Sequence, residues 1–267
     1  MLTIIRGAGD IASGVALRLR RAGIRVVMTE IERPTTIRRT VAFSDAVTSG
    51  EQTVEGVTAR RAENAEEARA LLDAGVIPVL VDPDCVCREF LAPDALVDAI
   101  LAKRNLGTRI TDAPAVVGVG PGFTAGVDCH AVVETMRGHT LGRVYYEGAA
   151  LPNTNIPGLI GGFAGERVLR APADGVFTGT RKIGDAVEAG ETVGFVADEP
   201  MTATISGVLR GLLADGVTVK RGMKSGDVDP RGEAAYCRTA SDKALAVGGG
   251  VLEAVLHLQG EKVWKTK

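Results

Sequence analysis

The chain has 267 residues, 45% of them hydrophobic and 24% charged, with a formal net charge of −2. That length suggests about two domains with room for a substantial core. The near-neutral balance argues against a phosphate-backbone binder, and an aromatic content of 4% leaves too few rings for a base-stacking platform, so nucleic acid is excluded as a partner. No apolar run approaches the ~20 residues of a membrane span. The N-terminus enters a strand directly, without a basic leader and cleavage site, so a cytoplasmic protein with no membrane partner is expected. The four cysteines, Cys85, Cys87, Cys129 and Cys237, then read as thiols rather than disulfides.

The chain opens on an apolar strand, Leu2–Ile5, that runs into Gly7-Ala8-Gly9-Asp10-Ile11-Ala12. This is the G-x-G-x-x-A form of the dinucleotide-binding fingerprint, in a strand–turn–helix context. The first Gly makes a tight turn, the second lets a pyrophosphate approach the backbone, and the small third residue lets helix and strand pack closely. Amides at the helix start would face the anion, with the helix dipole behind them. Ile11, Val15 and Leu19 recur at helical spacing and Gly23 stops the helix. Arg25–Thr29 is the second strand. Glu30 closes it, where a carboxylate would take a ribose hydroxyl. A solvated strand-end acid is the plain alternative.

Residues 31–60 depart from a Rossmann pattern and suggest an extended excursion or hairpin around Glu55-Gly56. Arg33, Arg38 and Arg39 suit an outer phosphate, or simply a solvated face. Asn64 and Glu67 make a capping-box-like start to a helix ending near Gly75. Ile77–Val81 reads as a buried strand and Ala95–Lys103 as a helix. Ala115–Val119 is an apolar strand leading into a second glycine-rich loop, with Gly118, Gly120, Gly122 and Gly126. In an open parallel sheet ligands sit at the carboxyl ends of strands, so both loops could line one cleft. The plain alternative is a crowded turn needing positive φ. Residues 130–146 read as two strands joined at Gly138.

From about residue 151 the texture becomes that of a linker, Leu-Pro-Asn-Thr-Asn-Ile-Pro-Gly and then Gly161-Gly162-Phe163-Ala164-Gly165. An internal repeat follows. Ala173–Phe177 matches Ile205–Leu209, and at the same offset Val187–Gly190 falls on Val219–Gly222 and Val196 on Val228. Two β halves so related suggest a small barrel-sandwich of the biotinyl/lipoyl type, which the phrases Ala-Pro-Ala-Asp-Gly-Val and Gly-Asp-Ala-Val-Glu-Ala-Gly-Glu resemble. The turn between the halves has no lysine; none occurs between Lys182 and Lys220. The amine that would carry biotin or lipoate is absent, so neither cofactor is expected and the module reads as structural or partner-binding. Residues 233–258 are helical in pattern, with Gly248-Gly249-Gly250 as a packing device or kink.

The expected fold is therefore α/β: a Rossmann-like parallel-sheet domain over residues 1–165, a barrel-sandwich hybrid over 166–232, and a helical segment over 233–267 packing back on the first domain. Cys85, Cys87, Cys129 and one His could in principle surround a tetrahedral metal, but the paired spacings that would make this strong are missing, and no metal is expected. Cys129 and His130 are adjacent, so on a strand they point to opposite faces. No Ser-His-Asp elbow, phosphate-binding Walker loop or glycosidase-like carboxylate pair is present.

The runs Ile5–Ala16, Thr29–Pro34 with Ile37–Thr40, Gly120–Thr135 and the C-terminal Ser-Asp-Lys-Ala-Leu-Ala-Val-Gly-Gly-Gly resemble the accessory proteins of selenium-dependent molybdenum hydroxylases (YqeB-type) over nearly the whole chain. The resemblance implies a maturation factor for such a hydroxylase, with the hydroxylase or its maturation machinery as partner, and supplies no reaction. On this reading a small anionic nucleotide-type ligand, molybdopterin cytosine dinucleotide or NAD(P), would rest on Gly7, Gly9, Asp10 and Ala12, with Gly120 and Gly122 beside it. Glu30 would hold a ribose hydroxyl and Arg38 or Arg39 an outer phosphate. Cys129, as a soft nucleophile near the expected cleft, would handle sulfur or selenium. Two alternatives stay open: an NAD(P)-dependent oxidoreductase, and a non-catalytic scaffold with a vestigial nucleotide site. Self-association is open too.

Overall fold

The computed structural model describes residues 1–154 and 156–265, with side chains as far as residue 260. Residues 155, 266 and 267, which fall in the expected linker and C-terminal segment, lie outside the described residues. The chain divides into two compact units. The first comprises Met1–Pro34, Ala42–Asn153 and Ala240–Lys267; the second comprises Thr35–Val41 and Thr154–Thr239.

The first unit is built on a nine-stranded mixed sheet. Its strands are β1 (Leu2–Arg6), β2 (Arg25–Glu30), β3 (Glu51–Val54), β4 (Val57–Ala62), β5 (Ile77–Val81), β6 (Ala95–Asp98), β7 (Ala115–Val119), β9 (Ala131–Val133) and β10 (Val144–Tyr145), in the order β10-β9-β7-β6-β1-β2-β5-β4-β3. The seven inner strands run parallel, and β3 and β10 close the edges antiparallel. Two short strands, β8 (Thr124–Ala125) and β11 (Gly148–Ala149), pair separately. Ile4, Ile5, Val26, Val27, Met28, Val79, Val116 and Val117 are fully buried, as expected of parallel strands covered on both faces. The unit's helices are α1 (Asp10–Arg21), α2 (Ala46–Ser49), α3 (Ala65–Asp73), α4 (Arg88–Leu91) and α5 (Asp242–Lys265). Asn64 caps α3 by accepting from the Glu66 and Glu67 amides, while Glu67 reaches back to the Glu63 amide.

This corrects the Rossmann-like expectation. The six parallel strands β5-β2-β1-β6-β7-β9 follow the strand order of a doubly wound sheet. The sheet as a whole does not: the β3–β4 hairpin extends it beyond β5 and β10 closes the other edge antiparallel, so it is mixed. No helix spans the connection from β6 to β7 or from β7 to β9. The segment expected as a helix from Ala95 is instead the buried strand β6, held between β1 and β7. Its helix-like spacing loses to its position: all four of its residues are buried on both faces of the sheet.

The second unit holds β12 (Val168–Arg170), β13 (Gly175–Gly179), β14 (Ala186–Val187), β15 (Thr192–Val196), β16 (Glu199–Thr202), β17 (Gly207–Leu212), β18 (Thr218–Val219) and β19 (Lys224–Asp229). They form two four-stranded antiparallel sheets, β12-β19-β17-β14 and β16-β15-β13-β18, around Leu169, Phe177, Met201 and Leu209. The repeat appears as two strand triplets, β13-β14-β15 and β17-β18-β19. The stand-alone biotinyl-like barrel-sandwich is nonetheless corrected. The unit recruits β12 and residues 35–41, with the Leu212 amide donating to Ile37 O at 2.8 Å. It also threads a buried charge chain: Arg167 to Asp227 at 2.9 Å, Asp227 to Arg210 at 3.3 Å, and Arg210 to Asp229 at 2.9 Å. Burial alone would raise the Asp229 carboxyl; hydrogen bonds from the Arg231 side chain and amide, with the charges of Arg210 and Arg231, hold it well below the usual carboxylate range.

The C-terminal glycines do not break α5. They let it lie against α1. A Cβ on Gly248 would come 2.6 Å from Gly14 O, and one on Gly14 would come 2.6 Å from Ala244 O. An exposed helical Gly→Ala change normally gains roughly 0.5–1 kcal/mol. Here Gly14→Ala and Gly248→Ala should each cost about 1–3 kcal/mol, because backbone must be pushed apart. Urea unfolding of both variants, with the open-faced Gly249→Ala as the control, checks this.

Candidate functional site at the carboxyl edge of the first unit

The carboxyl ends of β1 and β6, with the loops that leave β5 and β6, hold a buried polar cluster. Four of their non-glycine residues adopt positive φ: Cys85 at 56°, Ala92 after α4 at 45°, Leu101 at 61° and Lys103 at 63°. Such strain concentrates at functional sites. Arg6, the last residue of β1, is buried. Its guanidinium donates to the Thr108 hydroxyl at 2.7 Å, to Asp98 at 3.3 Å, and to the carbonyls of Pro83 at 2.9 Å and Leu106 at 3.4 Å. The Thr108 hydroxyl donates in turn to Asp98 at 2.7 Å. Asn105 accepts from the Gly107 and Thr108 amides and donates to Asp128, fixing the same loop. This cluster escaped the sequence reading; its only signals were a cation beside the first glycine and an acid inside an apolar run.

The first two amides of the N-terminal loop are satisfied from within. The Gly7 amide donates to Thr29 O at 2.8 Å. Its positive φ of 92° needs glycine, and a Cβ would sit 3.1 Å from Ala99 O and Ile100 N. Gly9 is the N-cap of α1, with no side-chain cap, and Asp10 opens the first turn. Ala12 is fully buried in the face of α1. Glu30 accepts the Ala8 amide at 2.9 Å on one oxygen and the Ile31 amide at 2.8 Å on the other. A carboxylate of the protein thus already occupies an amide of the glycine loop. Burial pushes the Glu30 carboxyl up, against the opposing pull of those two amides.

The second glycine loop is crowded at three of its glycines, while at Gly126 nothing lies within 4 Å of a Cβ. Gly120, φ 81°, faces the Thr135 hydroxyl, which would lie 2.8 Å from a Cβ. Gly122, φ 111°, faces the Arg104 backbone at 2.6 Å. Gly118 makes room for the Phe123 ring. Arg38 and Arg39 belong to the second unit. There Arg38 donates to Tyr236 O at 3.2 Å and Arg39 to Leu212 O at 3.0 Å. Cys129 is fully buried. Burial raises its thiol to about 11, with backbone hydrogen bonds to Gly118 and Ala131 pulling the other way and the Asp128 charge adding to the rise. At neutral pH it is a thiol rather than the nucleophilic thiolate. Its neighbour His130 accepts the Val116 amide at 3.0 Å. Glu134, also buried, accepts the amides of Thr135, Met136 and Leu151. Among the described residues no group of three or more His, Cys, Asp or Glu could hold a metal, and no helix is long and apolar enough to cross a membrane.

No family model matches the chain. It is similar to the uncharacterized protein YqeB of Escherichia coli (strain K12), 55% identical over 266 residues, which take in 100% of this chain and 49% of that protein. The chain thus spans about half the length of the curated relative it matches. That likeness fits the YqeB-type resemblance; it says nothing of selenium or of a molybdenum hydroxylase. Among solved structures, an aspartoacylase family protein from Mesorhizobium loti is 12% identical with a TM-score of 0.28, covering 85% of this chain and 84% of that one. A succinylglutamate desuccinylase from Silicibacter is 13% identical with a TM-score of 0.25 over the same shares. Those scores carry no argument about this chain. The expected labels of Rossmann-like nucleotide binding, barrel-sandwich hybrid and selenium-dependent hydroxylase maturation find no support in any of these likenesses. A nine-stranded mixed sheet and a pair of four-stranded antiparallel sheets replace the fold labels.

The raised Glu30 carboxyl has a pH consequence. Its protonated form is favoured in the fold, so the stability this gives is fully present below the ordinary carboxylate range and is lost as pH climbs through the raised value. Urea midpoints of the wild type should therefore fall between about pH 4 and pH 7 by more than those of Glu30→Gln, which has no such proton to lose.

Proposed function

We propose that the protein works by contact, as an accessory scaffold, and that the carboxyl edge of its first unit is the contacting surface. The observation that carries this is the state of the two glycine loops. Glu30 holds the Ala8 amide, and the positions where Gly7, Gly120 and Gly122 lack a Cβ are taken by the backbone or side chains of residues 99–104 and 135. At the first loop an anion would have to displace a carboxylate of the protein from the Ala8 amide. Around that edge lie exposed apolar side chains. Ile31 follows β2; Val81 ends β5 and Val86 lies in the loop after it; Ile100 and Leu106 follow β6. Phe90, on the short α4, is 62% exposed. Apolar rims of this kind mark protein-contact sites.

The partner we propose is the polypeptide that the E. coli relative carries outside the matched region, since 51% of that protein is left unmatched by this chain. The test mixes the full chain with that polypeptide and follows co-elution. Wild type should form a complex, and Val86→Asp and Ile100→Asp should each weaken it at least about tenfold, roughly 1.4 kcal/mol. A parallel thermal-shift series with NAD, NADP, CTP, ATP and inorganic phosphate should leave Tm unchanged. A shift with any of them, or no complex, overturns the scaffold reading, and a shift with NAD or NADP alone favours the oxidoreductase.

A further inference from the structure

The two loops that Arg6 ties together are opposite in charge. The first, residues 82–91 after β5, has three acids and one cation; the second, residues 99–111 after β6, has three cations and no acid. Their seam is neutralised from within. The Arg6 guanidinium donates to Pro83 O in one loop and to Leu106 O in the other. Arg88, the cation of the first loop, donates to the carbonyls of Asp84 and Cys85, and lies 3.5 Å from Asp112 and 4.0 Å from Glu89. Asp82 is engaged inside its own loop by the amides of Val86 and Cys87. Asp128, the acid that the second loop meets, accepts from Asn105 and from the Thr124 amide. What reaches solvent is an acidic lip, Asp84 and Glu89, beside a basic lip, Lys103, Arg104 and Arg109. Each lip also carries two exposed apolar side chains, Val86 and Phe90 on the first, Ile100 and Leu106 on the second.

We infer that this edge pairs with the same edge of a second copy of the chain, as a two-fold dimer. A two-fold axis through the seam turns each lip onto the opposite lip of the other copy, so that every contact is made twice. The acidic lip then faces the basic lip on both sides of the axis, and the apolar side chains of one lip face those of the other. A surface of one sign would repel its own copy in this arrangement; a surface split into two signs is complementary to itself. Exposed apolar side chains rimmed by charge are what such a contact covers. The loops are also set before they meet. Arg6 and Asn105 hold them by hydrogen bonds, and Leu101 and Lys103 keep the left-handed backbone. Little conformational freedom is therefore lost on pairing. The pairing rests on the reading of this edge as a contact surface, and makes a second copy of the chain one of its occupants.

The test is sedimentation equilibrium of the full chain over a concentration series. Wild type should pass from monomer to dimer and stop there, because a two-fold interface closes on itself. The variant Arg104→Glu with Arg109→Glu makes both lips acidic, and Asp84→Lys with Glu89→Lys makes both basic. Each variant alone should weaken the dimer at least about tenfold. Mixed in equal amounts, the two should form a heterodimer at least as tight as the wild-type dimer, since every lip then meets its opposite. That rescue also shows that neither variant has lost its fold. A wild type that stays monomeric up to about 1 mM, assembly that runs past the dimer, a dimer indifferent to either charge reversal, or no rescue on mixing overturns the pairing. A monomeric wild type that still binds the polypeptide proposed above overturns the pairing and leaves the scaffold reading standing; a dimer that binds no such polypeptide does the reverse.

Discussion

A single guanidinium, that of Arg6, anchors the carboxyl edge of the first unit. It leaves the end of the central strand β1 and reaches Asp98 at the end of β6, the Thr108 hydroxyl, and the carbonyls of Pro83 and Leu106. Two loops and the end of a neighbouring strand thus share one buried cation. Such a pair is a poor source of net stability, since both charges are desolvated, but losing one partner is severe because the other is left buried and alone. Its effect here is geometric. It holds loop 82–87 and loop 99–108 at fixed distance from β1, and the strained residues Cys85, Leu101 and Lys103 lie in or between the segments it holds.

That constraint also explains why the glycine loops are crowded at Gly7 and Gly122. With residues 99–104 drawn in, Ala99 and Ile100 meet Gly7, and Arg104 meets Gly122. The residue types that would admit a phosphate are the same types that admit a neighbouring backbone. The local pattern Gly-x-Gly cannot tell the two apart; the decision is made some 90 residues away. Glu30 adds its carboxylate to the first loop, taking the Ala8 amide.

Much of the layout could be read from sequence, and the limits have physical causes. Strands β1, β2, β5 and β7 announced themselves as continuous apolar runs, the hairpin around Glu55-Gly56 as two short β runs, and α3 through Asn64 and Glu67. Strand β6 did not, because Ala-Leu-Val-Asp followed by Ala-Ile-Leu-Ala satisfies helical spacing as well; only its place between β1 and β7 decides. The insertion of β5 between β2 and β4 is a long-range pairing that no local pattern encodes. In the candidate site, Arg6 and Asp98 were visible as residues but their pairing was not, since it joins the ends of β1 and β6 across 92 positions. Arg38 and Arg39 looked like phosphate ligands from their charge, yet they tie down carbonyls of the second unit.

The seating of α5 on α1 through Gly14 and Gly248 joins residues more than two hundred positions apart. During synthesis the sheet strands β1 to β10 emerge from the ribosome long before the helix that covers α1. All the strands of the second unit are also made before that helix, and only its residues 35–41 are drawn from the early part of the chain. The nascent first unit must wait with a bare small-residue groove along α1, so its completion is a late event whose timing is set by translation rather than by local folding speed.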